Sequence, residues 1–134
     1  MEKTYNIVEL FSGIGSQAAA LKNLGVKINT VGTSEWDVHA IVAYDMIHGG
    51  TNIPADIARM SKKELLEKTS HYTFSNSGKA PLEYESLRTY SVESLRYIYT
   101  SIKRNHNFVD ISALEGKEMP EGIDILTYSF PCQD

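Results

Sequence analysis

The sequence predicts an α/β protein built on a mostly parallel sheet. Short apolar runs with the length of buried strands alternate with amphipathic segments of helical spacing along the 134 residues. A glycine-rich turn joins the first apolar run to the first helical segment, as in open sheets that bind ligands beyond the carboxyl ends of their strands. Right-handed crossovers between successive strands would make such a sheet parallel.

The first part of the chain contains two strand–helix units. Residues 6–11 are predicted to form a buried strand, and residues 17–24 a helix. Residues 26–33 are rich in β-branched side chains, which favours a second strand. The second helix is predicted over residues 37 to about 48, where a pair of glycines ends it.

Residues 54–106 differ in character and are predicted to form a helical insert. The pattern Ser61–Glu64 is a capping box that opens one short helix, and Ser91 can cap a longer helix with one apolar face. The chain is then predicted to return to the sheet with a strand at Phe108–Val109 and a last strand over residues 123–128.

Composition and charge restrict the class of protein. The net charge of −4 argues against a dedicated nucleic-acid-binding module. No apolar stretch approaches the roughly 20 residues that span a bilayer, so we expect a cytoplasmic protein. The single cysteine excludes a disulfide or a Cys-based zinc site within this chain. No pair of the four histidines has a convincing metal-ligand spacing with a carboxylate, and we expect no metal.

Residues that can bind ligands or do chemistry follow all four predicted strands. Because the carboxyl ends of parallel strands meet at one edge of a sheet, these residues are expected to converge. In strand order they are Gly13 and Gly15, then Glu35 and Trp36, then Asp110, then Pro131 and Cys132.

The turn after the first strand has the features of a nucleotide-binding loop. The segment Gly13–Ala18 matches G-x-G-x-x-G/A between a strand and a helix, where glycines permit a tight turn and a close approach by a ligand. Glu35 lies 22 residues beyond Gly13, near the spacing of a carboxylate that binds ribose hydroxyls. The pattern fits a nicotinamide dinucleotide or S-adenosylmethionine almost equally, and a glycine-rich packing turn is the third interpretation.

Three further residues each have a structural and a functional interpretation. Trp36 can cover the face of an adenine ring or fill the core. Asp110 can accept a hydrogen bond from an adenine amino group or cap a turn. Cys132 follows the rigid Pro131 at a strand end, which suits a nucleophile. It could also be a buried inert thiol, whereas a redox sensor would need a basic neighbour that the local sequence does not supply.

Four motifs together resemble the opening motifs of DNA (cytosine-5) methyltransferases in spelling, order and strand context. They are Glu9–Gly15, Ser34–Asp37, Asp110–Ile111 and Ser129–Gln133. The resemblance implies a truncated Rossmann-like, S-adenosylmethionine-dependent methyltransferase fold in which residues 1–134 are a partial catalytic domain. It covers residues 5–53 and 107–134 and says little about the insert.

The resemblance also implies a cofactor site and a nucleophile. The residues that would bind S-adenosylmethionine are Phe11, Gly13, Ile14, Gly15, Glu35, Trp36, Asp110, Ile111 and Pro131. Glu35 would hold the ribose, Trp36 would stack on the adenine, and Asp110 would accept from its amino group. Cys132, as a thiolate, would attack carbon 6 of a cytosine flipped out of double-stranded DNA, which prepares carbon 5 for the methyl group.

The family's Glu-Asn-Val motif, whose glutamate assists at the cytosine ring, does not occur in the sequence. We therefore expect an N-terminal part of such an enzyme that is inactive alone and that a C-terminal polypeptide could complement. An open sheet edge would favour self-association. The alternatives are a non-catalytic remnant that binds a cofactor or protein, one subunit of a split methyltransferase, and an NAD-dependent oxidoreductase. Trp36 and the Pro-Cys-Gln motif count against the oxidoreductase.

Overall fold

A computed structural model describes residues 2–129 and confirms the α/β class. The helices and strands are β1 (Tyr5–Leu10), α1 (Ser16–Asn23), β2 (Ile28–Ser34), α2 (Val38–His48), α3 (Ala55–Ala58), α4 (Lys62–Thr69), α5 (Tyr84–Leu87), α6 (Val92–Arg104) and β3 (Ile125–Tyr128). Two short 3-10 turns, Ile111–Ala113 and Gly116–Glu118, precede β3. No helix within residues 2–129 has the length and apolar character needed to cross a membrane.

The three strands of the described residues are parallel and lie in the order β2-β1-β3. Ile7 and Val8 of the central strand β1 are completely buried. Asp124 aligns β3 with β1: its backbone N–H donates to the Asn6 carbonyl at 2.8 Å, and its carboxylate accepts from the Asn6 N–H at 2.9 Å. Lys3 donates to the same carboxylate at 2.9 Å. The carboxyl ends of all three strands therefore lie at one edge.

The prediction of a strand at Phe108–Val109 is wrong. This segment meets β2 through a single bridge between Thr33 and Asn107. The backbone cannot stay extended because Val109 has a φ of +69°, in the left-handed region that β-branched residues rarely adopt. Val109 is buried in the core. Asp110 consequently follows a sharp bend and not a strand end.

The main core lies between α2 and the insert. The helix α6 packs against α2, α3 and α4, and the Ser91 hydroxyl caps it by accepting from the Ser94 N–H at 3.0 Å. The predicted capping box of Ser61 and Glu64 is formed at the start of α4. The buried apolar residues of this core are Val38, Ile41, Ile57, Leu65, Phe74, Leu87, Leu95, Ile98, Tyr99, Ile102 and Val109. Most of them belong to the insert, which therefore supplies much of the core.

Polar contacts fasten α6 to α2 within that core. The Ser101 hydroxyl donates to the Ile41 carbonyl at 2.7 Å, and the Asn105 side-chain amide donates to the Asp45 carboxylate at 2.9 Å. Arg104 pairs with the same buried carboxylate at 3.4 Å, so the charge of Asp45 is compensated. These bonds fix α2, which forms one side of the site described below.

Candidate functional site

A cavity of about 910 Å³ opens at the carboxyl edge of the sheet. It lies among the turns that follow β1 and β2, the start of α2, a loop of the insert and the bend after Phe108. Its lining residues are Phe11, Gly13, Ile14, Ser34, Glu35, Trp36, Asp37, His39, Ala40, Ala43, Ser77, Gly78, Lys79, Val109, Asp110, Ile111, Ser112 and Ser129. All three strand ends therefore contribute to one cavity, as the sequence predicts.

Most residues that the sequence marks for cofactor binding converge on this cavity. Those that line it are Phe11, Gly13, Ile14, Glu35, Trp36, Asp110 and Ile111. Gly15 lies in the same turn but does not line the cavity. Pro131 and Cys132 lie outside the described residues, and Ser129 is the last described residue before them.

Glu35 joins the two turns that follow β1 and β2. Its Oε2 accepts from the Gly13 N–H at 3.0 Å, and its Oε1 accepts from the Asp37 N–H at 2.9 Å. Each carboxylate oxygen can accept more than one hydrogen bond. Glu35 therefore shapes the cavity while keeping acceptor capacity for a ligand.

Asn107 positions the backbone of Glu35 from the far side of β2. Its Oδ1 accepts from the Glu35 N–H at 3.1 Å and from the Val109 N–H at 2.8 Å, and its Nδ2 donates to the Glu35 carbonyl at 3.0 Å. One side chain thus fixes both Glu35 and the bend at Val109. No sequence motif marks Asn107, because an isolated asparagine before an apolar pair is common in loops.

The two glycines of the turn after β1 serve different purposes. Gly13 has a φ of +53°, and an added Cβ would meet nothing within 4 Å, so its requirement is conformational. A Cβ on Gly15 would lie 2.2 Å from His48 Nε2 and 2.7 Å from Tyr44 Cε2, in addition to the strain of a φ of +84°. The close packing of α2 against the turn therefore excludes a side chain at Gly15.

A buried pair beneath the turn couples β1 to α2. Glu9 is completely buried, and its carboxylate accepts from the Tyr44 hydroxyl at 2.5 Å and from the Ala18 N–H at 3.4 Å. Burial raises the pKa of the Tyr44 phenol above its ordinary value of 10.0, and the hydrogen bond to Glu9 raises the pKa further. The phenol therefore stays protonated and keeps donating to Glu9.

His48 supports the same turn from the end of α2. Lys22 lies 3.0 Å from His48 Nδ1, and an ammonium group can only donate, so Nδ1 is the acceptor. The hydrogen of the neutral ring is then on Nε2, which donates to the Ile14 carbonyl at 3.0 Å. This contact holds the backbone of Ile14, which lines the cavity, in place.

Trp36 lies between the main core and the cavity. It is partly buried and packs against the main core, and it also lines the cavity. An indole held in this way offers a fixed apolar surface to a planar ligand.

The carboxylates at the cavity are bonded to backbone N–H groups. Asp37 caps α2 by accepting from the His39 N–H at 2.9 Å. Asp110 Oδ1 caps the turn at Ile111 by accepting from the Ser112 N–H at 2.9 Å and the Ser112 hydroxyl at 2.6 Å, while Oδ2 makes no bond within residues 2–129. In that part of the chain, no three His, Cys, Asp or Glu side chains are grouped to hold a metal ion.

Comparison with known proteins identifies a matching family. The family model for the C-5 cytosine-specific DNA methylase matches residues 5–76 and 90–134. The segment 77–89, which falls within the insert, is the internal stretch that this model leaves unmatched.

Two relatives match almost the whole chain, and a third matches about half of it. The orphan methyltransferase M.SssI of Spiroplasma monobiae is 34% identical over 136 residues, which cover 98% of this chain. The type II methyltransferase M2.ScrFI of Lactococcus lactis subsp. cremoris is 30% identical over 132 residues, or 96% of this chain. In each case the chain spans 35% of the relative's length. The orphan methyltransferase M.Rho11sI of Bacillus phage rho11s is 43% identical over 63 residues, which are 46% of this chain and 12% of that protein.

Proposed function

Because this chain belongs to the C-5 cytosine-specific DNA methylase family, we propose that residues 1–134 are the S-adenosylmethionine-binding part of a DNA (cytosine-5) methyltransferase catalytic domain. In this proposal residues 54–106 are an insert within that domain. The observation that carries the proposal is the convergence of Glu35, Trp36 and the turn at Gly13 on one cavity.

The residues around the cavity suit an adenosyl ligand. Its volume of about 910 Å³ lies within the usual range for small-molecule sites. Glu35 would accept hydrogen bonds from the ribose hydroxyls, and Trp36 would cover the adenine face. Asp110 Oδ2 would accept from the adenine amino group, with Ile111 packed beside the ring.

The turn after β1 would hold the remainder of the ligand. The cavity-lining residues Phe11, Gly13 and Ile14 would lie along it, and Gly15 would support them by letting α2 pack close to the turn. S-adenosylmethionine would supply the methyl group when bound.

The nucleophile in this proposal is Cys132. As a thiolate it would form a bond to carbon 6 of a cytosine that has been flipped out of double-stranded DNA, and Pro131 would line the methionine side of the cofactor. Both residues follow Ser129, which lines the cavity, within three positions in the sequence.

Calorimetric titration of the chain with S-adenosylhomocysteine tests the cofactor part of the proposal. We expect saturable binding to S-adenosylhomocysteine and none to NAD. Glu35→Ala should abolish measurable binding, whereas Glu67→Ala, on an exposed glutamate of α4 outside the cavity, should not change it. Binding of NAD in preference to S-adenosylhomocysteine would contradict the proposal.

The β3 edge is the surface through which the chain would meet a complementing polypeptide or a second copy. Within residues 2–129, β3 pairs only with β1, and its Leu126 is 49% exposed. A strand edge of this kind accepts another strand, and a lysine on it disfavours pairing. Light scattering should therefore show association that Leu126→Lys reduces. A monomer at high protein concentration would contradict this part of the proposal.

A further inference from the structure

One wall of the cavity comes from a segment that the family model does not match. Ser77, Gly78 and Lys79 line the cavity, and all three fall within the unmatched residues 77–89. We propose that the loop over residues 75–81, most of which lies outside the residues that the family model matches, forms a wall of the cofactor pocket and that Lys79 contacts the adenosyl half of the ligand. This inference rests on the proposed function.

Backbone pairing fastens the loop to the segment that carries Glu35 and Trp36. The Ser75 N–H donates to the Trp36 carbonyl at 2.9 Å, and the Val38 N–H donates to the Ser75 carbonyl at 2.9 Å. Ser75 is completely buried. The start of the loop is thus bonded on both sides of Asp37, so the loop and the Trp36 segment form one structural unit.

The Ser75 side chain also closes the loop internally. Its hydroxyl donates to the Ala80 carbonyl at 2.6 Å and accepts from the N–H groups of Ser77 at 3.2 Å and Gly78 at 2.9 Å. The loop therefore has a defined shape before any ligand binds, which reduces the ordering cost of binding.

The loop lies at the indole end of the cavity. A Cβ added to Gly78 would be 3.5 Å from the carboxylate of Asp37, the residue that follows Trp36. Since the proposed function places adenine against Trp36, the loop borders the adenosyl half of the ligand. Lys79 is exposed and forms no ion pair within residues 2–129. Its apolar stem can cover part of the base while the ammonium group stays in water.

Two probes separate the halves of the ligand in a titration of the 134-residue chain. S-adenosylhomocysteine carries the amino-acid tail, and 5′-methylthioadenosine lacks it. Lys79→Ala should weaken the binding of both probes by the same factor, about fivefold, because it removes apolar cover from the part they share. Ser75→Ala should also weaken both by about fivefold, because the loop loses its internal bonds.

Matched controls come from the same insert. Lys68→Ala, on an exposed lysine of α4, and Ser61→Ala, at the cap of α4, should bind both probes as the unmodified chain does. Thermal unfolding without ligand reports whether Ser75→Ala still folds. Lys79→Ala gives an independent answer if it does not, because Lys79 is exposed.

The possible outcomes distinguish failure of the inference about the loop from failure of the proposed cofactor-binding function. Unchanged affinity of Lys79→Ala for both probes would overturn the inference and leave the proposed function standing. A loss confined to S-adenosylhomocysteine would place Lys79 on the amino-acid tail and would overturn the inference too. Absence of binding by the unmodified chain would overturn the proposed function, and the loop's role with it.

Discussion

Two of the walls of the cavity are both held by hydrogen bonds but differ in how clearly the sequence predicts them. The first wall is the pair of turns after β1 and β2. The Glu35 side chain joins these turns by accepting a hydrogen bond from the Gly13 N–H. The second wall is the loop over residues 75–81. The backbone N–H and carbonyl of Ser75 join this loop to Trp36 and Val38. A link through a side chain requires a particular residue at a fixed spacing, whereas a backbone link can be made by many residues. Only the first wall therefore appears as a motif.

The largest expected effect comes from breaking the first wall at Glu35. Glu35→Gln keeps one carbonyl acceptor but loses the charge and one of the two backbone bonds at Gly13 and Asp37. Hydrogen bonds to charged groups contribute about 1.5–3 kcal/mol each, so the affinity for S-adenosylhomocysteine should fall roughly 10- to 100-fold. Calorimetry measures this change, and a loss smaller than that of Lys79→Ala would reverse the ranking of the two walls.

Removing the support behind Glu35 should destabilise the protein as well as weaken binding. Asn107→Ala deletes three hydrogen bonds of a side chain that is 7% exposed and leaves the Glu35 and Val109 N–H groups without their acceptor. We expect the free energy of unfolding to fall by about 2 kcal/mol in urea titrations. Asn52→Ala, on an exposed asparagine, is the control. A neutral result at Asn107 would show that the bend at Val109 is held by packing alone.

Breaking the hydrogen bond between Tyr44 and Glu9 should have a smaller effect, and this effect on stability should depend on pH. Tyr44→Phe removes the bond to Glu9 and should cost about 1 kcal/mol at neutral pH. Because the folded-state pKa of Tyr44 is raised above 10.0, its contribution to stability is complete below that pH and is lost as pH rises through the folded pKa. The difference between Tyr44→Phe and the unmodified chain should therefore shrink in alkali.

Denaturant titrations at neutral pH and above pH ~10 measure that change. Tyr84→Phe, on an exposed tyrosine, should show no such trend. A stability difference for Tyr44→Phe that does not vary with pH would contradict the raised pKa of the Tyr44 phenol.

The smallest effect is expected from Asp124, which lies at the amino ends of the strands, opposite the cavity. The hydrogen bond from Lys3, followed by the one from the Asn6 N–H, lowers the pKa of Asp124 below its ordinary value of 3.8. The stability that Asp124 contributes is present above that value and is lost as pH falls through the folded pKa. Asp124→Asn should thus cause a small loss at neutral pH that disappears in acid, and should leave cofactor affinity unchanged. A weaker affinity would show that the two edges are coupled through β3.

Sequence patterns predict the parts of the site that depend on particular side chains. The turn at Gly13, Glu35 and Trp36 lie at the carboxyl edge of the sheet, where the sequence predicts them. The strand at Phe108–Val109 was wrong because the apolar pair looks extended, while Asn107 and the positive φ of Val109 bend the chain there. Gly15 fits the nucleotide-binding pattern, and the structure adds a packing requirement that the pattern does not show, because an added Cβ would meet His48 and Tyr44. Contacts between distant parts of the chain decide both cases, and a local pattern does not contain them.

Trp36 offers the most direct test of the proposed cofactor site because it is the only tryptophan in the chain. Its fluorescence should change in a saturable manner as S-adenosylhomocysteine is added, with the same midpoint that calorimetry gives, and Glu35→Gln should shift that midpoint to higher concentration. An emission spectrum that stays constant while calorimetry reports binding would place the ligand elsewhere and would contradict the assignment of this cavity.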